Sequence, residues 1–373
     1  MCKHQFAVLG VLATVVACTS VVESPARDRS VPVALAATDG GVAQAITVSP
    51  TLALSDGPVT ARAGTRCGGS LGGGRVLVSS FETDNDRQLQ VLDRSSLRVV
   101  RTLLAPDLER APASIADVSL GYLFDCAIDT TVQRVFVVAS GRAGVPAVAV
   151  VDVRTSTISQ TIDSVESGGA VVGMWRGDSV LFVAGSRPAG RAAVRQAYVW
   201  ILSLRSLAMR DSIPLRQGAG YAGLILSAIP FGVADSVAVQ QAGHVHLCTP
   251  MACRAVAVVG QGKPAFDRAR RLIVVPDPGT RFGPGSGALS VIDPRSGEAQ
   301  QIPLPPSLGA PAVSVSVLAD SASRRWVVAG GTLFAFSLFG FQPPTITSIN
   351  PDSLAATQVR QFSRNFGDLV PLR

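Results

Sequence analysis

The sequence predicts an all-β chain, a single β-propeller of four-stranded antiparallel blades, and three observations carry that prediction. The first is a long unit that recurs without a gap. RVLVSSFETDNDRQLQVLDRSSLRVVRTL (75–103) aligns with RVFVVASGRAGVPAVAVVDVRTSTISQTI (134–162), so that Val76 falls on Val135, Asp93 on Asp152 and Leu103 on Ile162, each 59 residues on. The second is the texture of the unit: short β-branched runs separated by tight polar turns, the pattern of an antiparallel meander. The third is further copies at 179–213, 236–259, 271–302 and 325–349. Repeats of roughly 40–60 residues with four strands each mark propeller blades.

Composition agrees. Of 373 residues, 47% are hydrophobic and 16% charged, which suits a well-buried core and excludes disorder. At the N-terminus Lys3 precedes an apolar run from Phe6 to Val16, 11 residues, too short to span a bilayer and suited to an export signal. The run ends in Val15-Val16-Ala17-Cys18. Residues 1–17 are therefore read as signal peptide, 18–45 as a flexible tether and 46–350 as the propeller. Residues 351–373 are read as a tail with a short helix at LAATQVRQF. The other apolar stretch, YAGLILSAIPFGVADSVAV (221–239), is interrupted by Pro230, Gly232 and Asp235 and reads as two buried strands.

Within a unit the order is an inner strand, a strand like VFVV, a strand like VAVVD, a polar turn, and a strand like ISQTI. The inner strands are TRCGGS, LFDCAID, GAVVGMW, LILSAI, KPAFD and VSVSVLAD. Asp93, Asp152 and Asp293 close the third strand, where a carboxylate accepts turn N–H bonds. Six units are counted over 46–349, about 51 residues each, and six blades are favoured. A seventh could be assembled from ITVSPTLAL (46–54) and the C-terminal segment.

The segments AVVDVRTSTISQTI, QVLDRSSLRVVRTL and SVIDPRSGEAQQI resemble the YVTN-type β-propeller repeat. The likeness spans roughly 60–349 and is strongest in the first, second and fifth units. Ser203 and Cys248 stand where other units carry Asp, and the asparagine-rich loops of that family are missing. Val15-Val16-Ala17-Cys18 resembles the lipobox of bacterial lipoproteins. That resemblance implies lipidation of Cys18, hence a lipid-anchored envelope protein, and Thr19 in place of aspartate implies the outer membrane.

The candidate sites are few. Four further cysteines, Cys67, Cys126, Cys248 and Cys253, form an even set in an exported chain and read as disulfides. Cys248 and Cys253 flank a hairpin turn, whereas Cys67 and Cys126 occupy the same place in adjacent units. Gly68-Gly69-Ser70-Leu71-Gly72 matches the nucleophile elbow in letters only, since strand–turn–helix context is lacking. His244 and His246 are read as surface histidines. A channel site would need Asp125, Asp129, Asp267 and Asp320 to converge, so no catalytic residue, metal or cofactor is assigned.

Arg142, Arg187, Arg191, Arg195 and Arg281 fall in loops of one propeller face and are candidates for an anionic ligand. The net charge of +7 includes Lys3 of the signal, and no Lys/Arg block or basic–aromatic pattern points to nucleic acid. The reading is a monomeric, non-catalytic envelope lipoprotein that binds an envelope protein or anionic ligand and meets the membrane through its lipid alone. The alternative is a propeller enzyme, hydrolase (lactonase-type) or quinoprotein dehydrogenase-like, acting at the central channel.

Overall fold

The computed structural model describes residues 34–38, 42–48, 54–61, 64–82, 86–103, 126–140, 146–162, 170–188, 195–215, 225–232, 235–241, 243–258, 264–277, 288–303, 314–320, 324–331, 345–353, 356–361 and 366–371. The first strands are β1 (Ala34–Thr38), β2 (Val42–Val48) and β3 (Leu54–Ala61). The next sheet holds β4 (Gly64–Gly72), β5 (Arg75–Glu82), β6 (Asp86–Asp93) and β7 (Val99–Leu103). It is followed by β8 (Cys126–Asp129), β9 (Arg134–Ser140), β10 (Pro146–Asp152) and β11 (Thr157–Ile162). Then come β12 (Ala170–Arg176), β13 (Val180–Pro188), β14 (Arg195–Ser203) and β15 (Met209–Pro214). The fifth group is β16 (Ile225–Pro230), β17 (Val237–Gln241), β18 (His244–Cys248) and β19 (Cys253–Ala257). The sixth is β20 (Ala265–Asp267), β21 (Leu272–Asp277), β22 (Ala288–Ile292) and β23 (Ala299–Pro303). The last are β24 (Ser314–Asp320), β25 (Arg325–Gly331), β26 (Thr345–Ile349), β27 (Ala356–Gln361) and β28 (Phe366–Pro371).

Six sheets are plain four-stranded meanders in chain order, and the seventh has the order β28-β1-β2-β3. All pairings are antiparallel; within the seventh sheet Ala34 lies opposite Pro371 and Ala37 opposite Asp368. The first strands of neighbouring sheets touch around the ring, β4 to β8 and onward to β24, then β24 to β28 and β28 to β4. The chain is therefore an all-β propeller whose ring closes by pairing its two ends. Closure leaves no sheet in the ring without a neighbour on either side.

All six inner strands expected from the sequence are found, as β4, β8, β12, β16, β20 and β24. The described strands make seven four-stranded sheets against the six favoured by unit counting. The additional sheet uses the C-terminal segment and part of ITVSPTLAL (46–54), as a seventh unit would, but it also takes β1 and the start of β2 from residues 34–45, read as tether. The segment ALAATDGGVAQAITV is alanine-rich and weak in strand propensity, so its fate is decided by pairing with the C-terminal strand. The helix expected at LAATQVRQF is strand β27, which pairs with β26 as Thr347↔Val359 and Ile346↔Arg360. Alternation of Thr357 and Val359 with polar neighbours favours the pleat once an open edge is available. The signal segment and Cys18 lie outside the described residues.

Packing explains why the strands read as continuous apolar runs. Val135, Val137, Ala149 and Val151 pack with Leu77, Leu89 and Leu103 of the preceding sheet. Their strand neighbours Phe136, Val148 and Val150 pack with Leu181, Val183 and Trp200 of the following sheet. Both faces of the second and third strands, β9 and β10, are thus buried, as both faces of a covered sheet require. Polar residues concentrate on the outermost strand of each sheet, for example Gln300 and Gln301 of β23, both exposed.

Seven of the described hairpins share one turn. The residue four positions after the strand-closing residue takes a left-handed conformation: Leu97 (φ 54), Ser156 (φ 60), Leu207 (φ 57) and Gly297 (φ 79) at the outer hairpins. The same device recurs at inner hairpins with Gln133 (φ 56), Arg271 (φ 58) and Arg324 (φ 55). Left-handed backbone in non-glycine residues is costly, and the strand-closing carboxylates offset part of that cost by accepting turn N–H groups. Asp93 Oδ1 accepts from Ser96 N at 2.8 Å and Asp152 Oδ1 from Arg154 N at 2.8 Å.

Ring closure by the C-terminal strand generates a prediction. A chain stopped after Gln361 lacks β28 and should melt well below the intact chain, with aggregation through the exposed edge of β1. Scanning calorimetry with light scattering checks this; an unchanged melt would show that β28 is dispensable.

Candidate functional site

In a meander ring, the first and third turns of every sheet lie on one face, called here the hairpin face. The second connections and the crossings between sheets lie on the other, the loop face. The titratable groups that the sequence offered for chemistry separate between these faces.

Asp129 and Asp267 end the inner strands β8 and β20 on the hairpin face, only 2% and 4% exposed. Asp129 accepts from Thr131 N and from Arg134 Nη2, both at 3.1 Å. Its Oδ1 also lies 3.2 Å from Nε of Arg176, which ends the inner strand of the next sheet. Burial pushes the Asp129 carboxyl up, but Arg134 and Arg176 outweigh it and hold the group below the usual carboxylate range. Asp267 accepts from Ala269 N and Arg270 N at 3.0 Å each. Its Oδ2 takes Arg270 Nη1 at 3.2 Å and the indole N–H of Trp326, in the next sheet, at 2.9 Å.

Equivalent clamps occupy the other joints whose side chains are described. Arg101 of β7 donates to the carbonyl of Val153 at 2.6 Å, and Arg254 of β19 to that of Pro294 at 2.9 Å. Both bridge an outer strand to the outer turn of the following sheet. Asp235 accepts from the Ser179 hydroxyl at 2.6 Å and from Ser179 N at 3.0 Å, joining the inner turns of two sheets. Its carboxyl is raised by burial yet brought below normal overall by those bonds. Each of these five joints is therefore fastened on the hairpin face by a side chain reaching across it.

A cleft of about 560 Å³ opens between the sheets of β12–β15 and β16–β19, lined by Gln196, Pro214, Leu215, His246, Cys253 and Arg254, with Ala255. His246, read from the sequence as a surface residue, is 1% exposed. The correction has a simple cause: a third strand in this ring is covered on both sides, so a polar residue there has no solvent face. His246 Nε2 lies 2.9 Å from Oε1 of buried Gln241, and with an amide oxygen as partner Nε2 carries the proton. Burial, with a smaller push from the His244 charge, lowers its pKa to about 4. It is neutral at pH 7, a hydrogen-bonding and packing group rather than a proton carrier.

Cys248 and Cys253 are disulfide-bonded across the hairpin, in register on β18 and β19, as expected. Cys126 is also disulfide-bonded. Cys67 lies on β4, the neighbouring inner strand, and its side chain is outside the described residues. Ser70 of the G-x-S-x-G stretch sits within β4 ahead of a glycine turn, its Oγ accepting from Gly72 N at 3.3 Å. That is hairpin geometry, not a nucleophile elbow. Among the described residues no group of three or more His, Cys, Asp or Glu is placed to hold a metal ion.

The arginines assigned to the loop face divide differently. Arg187 and Arg195 end β13 and begin β14 on that face, where Pro188 pairs with Arg195; their side chains are outside the described residues. Arg142, Arg191 and Arg281 lie outside them altogether, as does Asp125, and so does the side chain of Asp320. What sequence reading missed was the clamping partners, Arg176 and Trp326; their only signal was a position in the strand next to a strand-closing Asp in the repeat.

No family model and no curated protein matches the chain. Solved structures do. A candidate 6-phosphogluconolactonase from Bacteroides fragilis superposes with a TM-score of 0.61 at 10% identity, covering 93% of this chain and 99% of its own. The dihydro-heme d1 dehydrogenase NirN, in complex with DHE, superposes at 0.55 with 13% identity, over 92% of this chain and 75% of that one. Apo AztD from Citrobacter koseri does so at 0.54 with 12% identity, over 91% and 97%. At such identities the likeness is one of fold: this chain is a β-propeller.

The buried histidine sets a pH dependence. A base whose pKa is lower folded than unfolded binds more protons unfolded, so stability falls as pH drops from 6.5 toward 4. The loss is at most about 3 kcal/mol, and it precedes the loss from Asp129 and Asp235, which begins below the usual carboxylate pKa. Denaturant titrations of wild type and His246→Gln across pH 4–7 should show the slope only in wild type. Parallel curves would contradict the assignment.

Proposed function

We propose that this chain is a non-catalytic lipoprotein of the cell envelope, whose ring is a rigid scaffold presenting its loop face to an envelope protein or anionic ligand. The observation that supports this reading is the fate of the buried acids. Asp129 and Asp267, two of the four carboxylates from which a channel site would have to be built, face their own turns and the next sheet. A carboxylate already holding two or more donors has little capacity left for a cation or a substrate. Loop-face residues Arg142, Arg187, Arg191, Arg195 and Arg281 supply the binding chemistry, and lipidated Cys18 supplies the anchor at the outer membrane. Cys67 is the partner we assign to Cys126.

Propellers of similar fold include proteins named as a lactonase and a dehydrogenase, so fold does not choose between scaffold and enzyme. The test is elemental analysis of the purified protein, with lactone and ester substrates assayed with and without calcium. The scaffold reading expects no stoichiometric metal and no turnover. Turnover abolished by chelation and by Asp125→Ala would establish the enzyme instead.

A further inference from the structure

The first described residue, Ala34, and a set of exposed arginines lie on the same face. β1 is the second strand of its sheet, and its first residue, Ala34, pairs with Pro371 at the end of inner strand β28. Inner strands end on the hairpin face, so Ala34 lies there, with residues 19–33 between it and Cys18 in the sequence. A stretch of that length spans up to about 50 Å when extended.

The outer turns on this face repeat a pattern: Asp152-Val-Arg154-Thr-Ser156, Ser203-Leu-Arg205-Ser-Leu207 and Asp293-Pro-Arg295-Ser-Gly297. Because the left-handed residue fixes each turn, the third residue stands at the tip, and Arg154, Arg205 and Arg295 are exposed. In the sheet between the last two, the turn instead presents Met251, 90% exposed, on the hairpin closed by the 248–253 disulfide. Most carboxylates of the face are engaged in the joints and turns described above; Asp178, Glu298 and Asp352 are exposed. Three of the outer tips are thus cationic and one apolar, held by rigid turns; Ser95 takes the tip position in 93–97, and Asp352 in the turn 350–353 is paired with Arg270 at 2.8 Å.

We propose that the hairpin face docks on anionic phospholipid headgroups, with the three arginine tips on phosphates and Met251 at the acyl boundary. This rests on the proposed lipidation of Cys18, which would hold that same face against the bilayer. A guanidinium matches a phosphate in a paired, bidentate fashion. Each arginine near such a surface adds about fivefold to partitioning. The loop face then points away from the membrane, free for a partner.

The test uses the chain from residue 18 onward with Cys18→Ser, which contains every described strand and cannot be lipidated. It is sedimented with vesicles of phosphatidylcholine alone and of phosphatidylcholine with phosphatidylglycerol. Binding to the anionic vesicles only is expected, weakened by salt and about a hundredfold weaker in Arg154→Gln/Arg205→Gln/Arg295→Gln. Unfolding midpoints of the variants verify that they fold, and Met251→Ser alone should weaken binding at unchanged salt dependence. Equal binding to neutral vesicles, no binding at low salt, or full binding by a folded triple variant overturns the docking face. Capture of an envelope protein through these arginines without lipid overturns the lipid assignment. Labelled palmitate, incorporated in wild type and absent in Cys18→Ser, tests the anchor separately. Vesicle binding without label overturns the anchor alone, and label without vesicle binding overturns the docking face alone.

Discussion

A carboxylate at the end of an inner strand does two tasks in this ring, and much else follows from that. Asp267 closes its own hairpin through two backbone N–H groups and, with its second oxygen, holds the indole of Trp326 in the next sheet. Asp129 accepts from Thr131 N behind it and forms an ion pair with Arg176 ahead. A buried acid is costly unless its lone pairs are filled, and here the filling donors come from two sheets. The acid therefore favours the turn and the joint together. Apolar packing between sheets is non-directional; these bonds fix the register of one sheet against the next.

The same arrangement governs what the ring can do. The clamps described above all lie on the hairpin face, and connecting loops are where a fold can vary without disturbing its frame. The hairpin face is bound by its own clamps, and among its exposed outer-turn residues are Arg154, Arg205, Arg295 and Met251.

Much of this was legible in the sequence. The 59-residue self-alignment placed Val76 and Val135 in matching strands, and both are wholly buried. Asp93 and Asp152 were read as turn-closing acids from their place after VLD and VVD, and they accept turn N–H groups. The Cys248–Cys253 pairing followed from two cysteines flanking a hairpin turn. Other features were hidden for physical reasons. β1 and β2 are alanine-rich, and β1 is placed by a partner more than 300 residues away, β28, which no local pattern reports. β27 carries Gln and Arg on an outermost strand, where one side meets water, so it lacks the apolar run of the inner strands. His246 looked exposed because histidine usually is, and only the ring supplies a second covered face.

The claim on which the account turns is that the strand-closing acids hold one sheet to the next. It is tested most directly by a double-mutant cycle at one joint, with Asp267→Ala and Trp326→Phe made singly and together and stabilities measured by denaturant titration. Trp326→Phe keeps most of the ring in place while removing the bond. If the joint is held as described, the two changes should be non-additive, with a coupling of about 1–3 kcal/mol. Strict additivity would mean that Asp267 serves its own turn alone and that the sheets are held by apolar packing without the clamp.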